Sequence, residues 1–555
     1  MNFVRRAVFA LCLLGCFSYA SAQEQGVFSG NFEGNFNVFL RDSTIGAANI
    51  PQYDEQITGG EAWFNLNYSR KDLNIGVRFD VFNNSNLLNP SGSYTDQGIG
   101  RWFINKQINK FNVEVGYIYD QIGSGIIYRA WESRPLLIDN ALLGAKAEYS
   151  INDDWKIKAF TGRQKFLFDE NLGIVKGGSI EGFLQLGSEE SPINLSPGMG
   201  VVNRTLEDES MNRIIDNVKT YIPEEQFKPE FNVYLFTLYN TLSYKNITWY
   251  VEGAYKTDEA FFDSVEPRTE ITGVTTLGRF KKASGSVFYT SVSFAKGKLG
   301  VTLEGKRTEN FNFRTDPNLT LQRGIINYIP PMNRINTYRM TARYAPATQD
   351  LSEQAFQADI RYRFNKKLSF LANFSNITDL RDEKTLLYRE ILGEIVYKYK
   401  RDWQLTGGLQ LQKYNQEIYE VKPEVPIVST VTPYIDFLYK FSRKKSLRIE
   451  SQYMSTQEDF GSWFFALAEY GIAPSWIFEA SIMYNSSPSD KSPKDPDTGE
   501  TLKIAYPTFG VVYINKANRF QLRYVKQVEG IVCSGGICRL EPAFSGIRFS
   551  VSSNF

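Results

Sequence analysis

The stretch YDQIGSGIIYRAWESRPLLIDNALLGAKAEYS, residues 119–150, concentrates Arg129, Glu132, Arg134, Asp139 and Asn140 around Gly123, Gly125 and Trp131. Guanidinium and carboxylate groups this close can pair and hold a bend that the glycines permit. The same charges, left facing a passage, would set a local field on solutes moving through it. Gly123-Ser124-Gly125 is not a phosphate loop, because no Lys-Ser/Thr end and no strand–helix setting accompany it. Asp490, Asp495, Asp497 and Glu500 share one loop, SPSDKSPKDPDTGE, without EF-hand spacing. A solvated acidic, Pro-rich loop is a better reading of it than a calcium site.

The chain contains no histidine. Ser-His-Asp and Cys-His nucleophile systems, HExxH metal sites and His-ligated haem therefore cannot be built. A carboxylate pair for glycoside hydrolysis remains conceivable in principle, but the sequence locates none, so no enzyme, cofactor or metal is expected. Of four cysteines, Cys533 and Cys538 lie close together as C-S-G-G-I-C. In an exported chain that spacing reads as a disulfide across a tight loop, the alternative being two free thiols. Net charge is +1, with no basic field for nucleic acid.

Export is read from the N-terminus. Arg5 and Arg6, the apolar run 7–17 and Ala20-Ser21-Ala22 form a signal peptide over residues 1–22, with Gln23 starting the mature chain. Leu13-Leu14-Gly15-Cys16 is a weaker, lipobox-like alternative. Beyond residue 22 no apolar run of spanning length occurs, and mean hydropathy is −0.32. Aromatics nevertheless reach 15%, as barrel girdles require.

The elements that must position these groups are strands. Phe28, Phe32, Phe36, Val38 and Leu40 alternate with Ser29, Asn31, Glu33, Asn35 and Asn37. Leu73, Ile75, Val77, Phe79 and Val81 alternate with Asn74, Gly76, Arg78 and Asp80. Such period-2 runs have one apolar and one polar face. They recur to the C-terminus in pairs, joined by tight polar turns at 70–72, 151–154, 244–246, 296–298, 365–367, 400–402, 442–445, 472–475 and 515–518. Longer connections fall at 41–59, 83–98, 121–141, 205–229, 257–283, 309–353, 414–429, 485–502 and 529–542, with a short amphipathic helix within 207–221. The pattern predicts an all-β fold: residues 23–555 form one large antiparallel transmembrane β-barrel of about 24 strands (range 22–26), with short periplasmic turns and long extracellular loops. Arg78, Asp80, Glu114, Lys146, Glu148, Lys156, Lys158, Asp359, Arg361, Arg363 and Glu394 then face the lumen, since a basic residue facing lipid at the midplane costs about 2–4 kcal/mol. Opposite signs could pair and plug the interior, or line a water-filled pore. Because both signs occur, no strong ion selectivity is expected.

The chain ends on an amphipathic strand in which Ile547, Phe549 and Val551 alternate with Arg548, Ser550 and Ser552 before the terminal Phe555. That ending resembles the signal read by barrel-assembly machinery. Residues 119–150, the signal peptide before Gln23 and Phe555 together resemble a family of outer-membrane barrels of unknown function from Bacteroidota. The resemblance implies a barrel and an outer-membrane address, with no assigned substrate or catalytic residue.

Strand one begins within a few residues of Gln23, so neither an N-terminal plug domain nor a passenger domain is expected. The function expected is a porin-like channel for small solutes. The alternative is a non-conducting barrel subunit of an outer-membrane complex for protein export, barrel insertion or nutrient capture. Expected partners are outer-membrane lipids, barrel-assembly machinery and, on the second reading, other outer-membrane proteins or lipoproteins. Residues 121–141, with Arg129, Glu132, Arg134 and Asp139, are either a constriction or a lid organised by ion pairs; the organising role is the preferred reading.

Overall fold

The structure, a computed structural model, describes residues 26–555 other than 189, 321–322, 382–384 and 535–536. The expected signal peptide lies outside the described residues. One antiparallel sheet of 25 segments closes on itself. Two of the segments, Asp169–Gly182 and Leu184–Ser188, pair in a single register with Ser191–Thr205 and form one strand, so the barrel has 24. The last strand, Phe544–Asn554, closes the ring on the first, Val27–Phe39, through Ile547↔Val38, Phe549↔Phe36 and Val551↔Gly34. Phe555 completes the seam: its backbone exchanges two hydrogen bonds with Gly30 (2.9 and 3.0 Å) and its ring stacks on Phe64. Closure leaves no unpaired edge, which a lipid-embedded sheet requires.

The alternation read from the sequence sets the two faces. Phe28, Leu238, Ile395 and Phe509 are exposed on the outside, whereas Arg78, Asp80, Glu114 and Lys146 are buried inside. A two-residue turn at 167–168 joins Trp155–Phe166 to Asp169–Gly182 on one rim, while the turns after Arg70, Ile108, Tyr244 and Asn515 fall on the other. Lys71, Asn109, Lys245 and Lys516 take positive φ there, as the tightest hairpin turns demand. Rings cluster beside that rim, including Phe111 with Tyr149, Tyr399 with Trp403, and Trp476 with Tyr513, all within 6 Å of one another. Short turns flanked by an aromatic girdle identify this rim as the periplasmic one.

The opposite rim differs from expectation in two places. Residues 257–283 are not a long loop. Strands Ile247–Thr269 and Thr275–Lys296 run on as a hairpin past both neighbours, whose pairing ends at Lys256 and Ser286. Bulges between Lys256 and Glu259 and between Asp263 and Pro267 interrupt the period there, which disguises the strand. Residues 83–98 are mostly strand as well, leaving only 86–93 as connection. Helix Asp208–Val218 lies where expected, burying Met211, Ile214 and Val218 against Ala260 and Phe280 of the protruding hairpin. A small hairpin, Gly530–Ser534 with Ile537–Glu541, places Cys533 opposite Cys538; the side chains of these two residues lie outside the described set.

Candidate functional site

The interior is crossed by two segments that fold inward from the long-loop rim. In the first, residues 119–141, Ile122, Ile126 and Ile127 have no exposed surface, and burial of each contributes roughly 1.5–3 kcal/mol. Ser124 donates its backbone N–H (3.0 Å) and hydroxyl (2.5 Å) to Glu252 on the wall. The bend needs glycine: Gly123 has φ +56°, and a Cβ there would lie 2.8 Å from the Glu252 carboxylate.

Next comes a two-residue ladder in which Glu132 pairs with Asp139, joined by the 3-10 turn Arg134–Leu136. This brings both carboxylates to Arg78, which sits on the wall strand Leu73–Ser85. Arg78 binds Asp80 (Nε–Oδ1 2.6 Å), Glu132 (Nη1–Oε1 2.8 Å) and Asp139 (Nη2–Oδ2 2.7 Å) with its side chain almost wholly buried. Lys165 reaches Asp139 at 2.6 Å, and the Tyr119 hydroxyl donates to its other oxygen at 2.6 Å. Burial pushes the Asp139 carboxyl up, but Lys165 and Arg78 outweigh it and hold it below the usual carboxylate range. Arg134 ties the same turn to the first strand through Glu33 at 2.5 Å while holding Glu132 at 3.0 Å.

All four residues singled out in this stretch therefore lie within the barrel, but they do not form one cluster. Arg129 forms no ion pair among the described residues. It stacks over Tyr328 (4.2 Å) and Trp131 (5.3 Å), and its N–H donates to the Ile326 carbonyl.

Tyr328 and Ile326 belong to the second segment, residues 310–351. Pro317, Pro330, Pro331 and Pro346 deny it a ladder. Its backbone groups are satisfied by lumen-facing side chains instead. Lys256 donates to the Asn312 carbonyl (2.6 Å), Arg204 to that of Arg314 (2.9 Å), and Lys306 to that of Pro330 (2.7 Å). Farther on, Gln410 serves Thr341 (3.0 Å), Gln412 serves Tyr344 (2.8 Å), and the Met340 N–H donates to Gln452 (2.8 Å). Arg334 pairs with Asp359 at 3.0 Å, and the Tyr344 hydroxyl donates to Asp459 at 2.8 Å. Asn140 of the first segment donates to the Ile325 carbonyl at 3.1 Å, so the two segments join. One apolar cluster then runs from Ile126 and Tyr128 through Phe311, Ile329 and Met340 to Trp463 and Phe544 on the wall.

Other lumen charges pair in place. Lys146 bridges Glu114 (3.1 Å) and Glu148 (3.3 Å), and Lys158 meets Asp120 (2.9 Å). The second segment was not expected inside. The sequence signal that could have placed it is the set of neutral amides at inward positions 410, 412 and 452, which lipid-facing alternation does not require.

The family model for a family of unknown function, DUF6029, matches residues 3–555, and the chain belongs to that family. No curated protein matches it. Among solved structures it is similar to a mutant of the ferric enterobactin receptor PfeA from Pseudomonas aeruginosa (9% identity, 95% of this chain and 80% of that one, TM-score 0.41). It is also similar to the ferric-catecholate import receptor Fiu from E. coli K12 (10% identity, 97% and 82%, TM-score 0.39). A third is the translocation pore of the P pilus usher PapC (9% identity, 95% and 99%, TM-score 0.40). At such TM-scores these likenesses carry no argument about function, and the fold rests on the strand register.

Proposed function

We propose that this outer-membrane barrel is a channel for small solutes held closed at rest by its own two inward segments, so that passage requires their displacement. The observation that supports this reading is the Arg78 hub, where one buried guanidinium joins the wall to both arms of the inward turn. A static constriction would need charge facing water, whereas here the charge is spent on holding the segment to the wall. The resemblance read from the sequence adds a Bacteroidota source to the proposal.

The test is planar-bilayer recording from the purified barrel. The wild type should be silent or open only briefly, and Arg78→Met should conduct. Steady wild-type conductance would defeat the closed state. A folded Arg78→Met barrel that never conducts would defeat the channel.

A second reading, a non-conducting subunit of an envelope complex, draws support from the protruding hairpin. Ile271, Val274 and Leu277 at its tip are more than half exposed (66%, 53% and 73%), well outside the lipid-facing band. On that reading a stoichiometric outer-membrane protein or lipoprotein co-purifies in mild detergent and is lost when residues 260–282 are trimmed.

A further inference from the structure

The filling of the lumen is incomplete, and two of its cavities adjoin the small hairpin near the C-terminus. One, of about 290 Å³, lies against the first and last strands beside Trp63 and Phe544. The other, of about 480 Å³, lies between Arg343 and the hairpin Gly530–Ser534/Ile537–Glu541. Glu541 lines both. The larger falls within the range of small-molecule sites, about 300–1,000 Å³, and the smaller just under it, which suits only a small solute.

Sorting the lining charges by partner leaves an unusual remainder. Arg134 has Glu33 (2.5 Å), Lys422 has Glu420 (2.6 Å), and Arg343 reaches Asp459 (3.6 Å). Arg339, Arg539 and Arg548 form no ion pair among the described residues, and neither do Glu61, Glu529 and Glu541. Arg539 makes one long bond to the Leu87 carbonyl (3.3 Å), and Arg548 makes one to Asn37 (3.1 Å) while lying over the Phe544 ring. The Glu61 carboxylate accepts the Ser85 hydroxyl and has no other hydrogen-bond partner among the described residues. Burial pulls the Arg539 guanidinium below its ordinary value, and Glu541 and Glu61 restore only part of the difference. Many inward charges elsewhere pair in contact, as Arg78 and Lys146 do, or, like Glu252 and Glu390, are met by several neutral donors. Here Arg539, Arg548 and Glu61 face the smaller cavity, Arg339 and Glu529 the larger, and Glu541 both, with no ion pair among them in the described residues.

The geometry points to a binding site for a small zwitterion, a solute carrying both a carboxylate and an ammonium group, such as an amino acid or a short peptide. This rests on the solute-channel reading and names its substrate class. The solute carboxylate would take the free forks of Arg539 and Arg548, which suit planar bidentate contact. The ammonium would take Glu541 or Glu61, and short apolar side chains would meet Trp63 and Phe544. A simple anion or cation would satisfy one set and leave the other unpaired and half-buried, so charge balance disfavours it.

The experiment is calorimetric titration of the full-length barrel in detergent with dialanine, its N-acetyl form, its C-terminal amide, and acetate. Dialanine should bind in the millimolar range or tighter, and each singly charged form about tenfold or more weaker, as expected for loss of a charge-assisted contact. Arg539→Gln and Glu541→Gln should each weaken dialanine by a similar factor. Equal binding of all four ligands, preference for acetate, or no binding to the wild type would overturn the site. Because the wild-type series decides alone, a variant that fails to fold leaves the result intact. Dialanine binding by a barrel that never conducts would defeat the channel and keep the site. Conductance without dialanine preference would do the reverse.

Discussion

The two inward segments occupy the same lumen but are held by different chemistry. Residues 119–141 are tied by charge: Arg78, Lys165 and Arg134 grip Glu132 and Asp139 from the wall. Residues 310–351 are tied mainly by neutral or singly charged donors aimed at their backbone, among them Gln410, Gln412, Lys256 and Lys306. A buried charge cluster is costly once a member is removed, because the remaining charges stay desolvated. A set of separate backbone contacts loses only one modest term at a time. The first arrangement suits a latch that releases as a unit, and the second suits a strap that loosens by degrees.

The sharpest way to break that contrast is Arg78→Met. It leaves Asp80, Glu132 and Asp139 with Lys165 and the half-buried Arg134 as their cations, and breaking such a buried cluster costs about 3–5 kcal/mol. Denaturant titration of the folded barrel should show that loss, and bilayer recordings should show long openings. Unchanged stability together with silence would mean that charge is not what holds the first segment.

Acid provides a second, smaller perturbation. Asp139 lies below its ordinary value, so its stabilisation is complete above the unfolded value of about 3.9 and is lost only as pH falls through the lower folded one. Asp459, which holds the second segment through Tyr344 and Arg343, behaves alike: burial raises it, and Arg343 and its hydrogen bonds bring it below the usual range. Between pH 7 and about 5 the barrel should therefore stay closed, with openings appearing only below about pH 4. Asp139→Asn removes this titration from the first segment and should flatten the acid response without abolishing the part due to Asp459. Opening already at pH 6 would contradict both assignments.

How much of this could be read beforehand follows the same divide. Period-2 alternation, tight turns and the terminal Phe555 define the barrel because each is local, and lipid on one face leaves little freedom. Glu132 and Asp139 were conspicuous because four charges beside two glycines stand out in any window. The second segment was placed outside because its prolines abolish periodicity, while its partners Gln412 and Gln452 lie far along the chain and look like ordinary polar strand residues. Residues 257–283 were misplaced because two bulges interrupt the alternation and Pro267 and Gly273 mimic a loop. Arg339, Arg539 and Arg548 come from three separate elements, and nothing in their local sequence announces that they line cavities sharing Glu541.

Gln412→Leu tests the strap directly. It removes the 2.8 Å bond to the Tyr344 carbonyl and one to the Tyr388 hydroxyl (3.0 Å), but it also removes a buried amide oxygen that has no partner among the described residues. The two effects oppose, so the expected loss is about 1 kcal/mol, with a modest rise in brief openings and no sustained ones. An effect as large as that of Arg78→Met would mean that the second segment is also a cooperative latch, and the contrast would fail.

The hairpin carrying Arg539 and Glu541 extends the comparison to an inward element in which, among the described residues, neither of these charges forms an ion pair and Arg539 makes one long bond to the Leu87 carbonyl (3.3 Å). We propose that a covalent tie substitutes. Directly opposed residues on antiparallel strands have Cα atoms about 4.5–5.5 Å apart, inside the range a disulfide spans, and Cys533 and Cys538 are so opposed. Because the loop they enclose is short, the entropic gain is at most about 2 kcal/mol and acts on this hairpin alone. Thiol titration of the exported protein should find no free cysteine until a reductant is added. Reduction should then leave barrel stability and closure unchanged while weakening dialanine binding by no more than about fivefold, the equivalent of about 1 kcal/mol. Free thiols in the exported barrel would remove the tie. Reduction that opened the channel would show that the hairpin, rather than the Arg78 hub, is the element that keeps it closed.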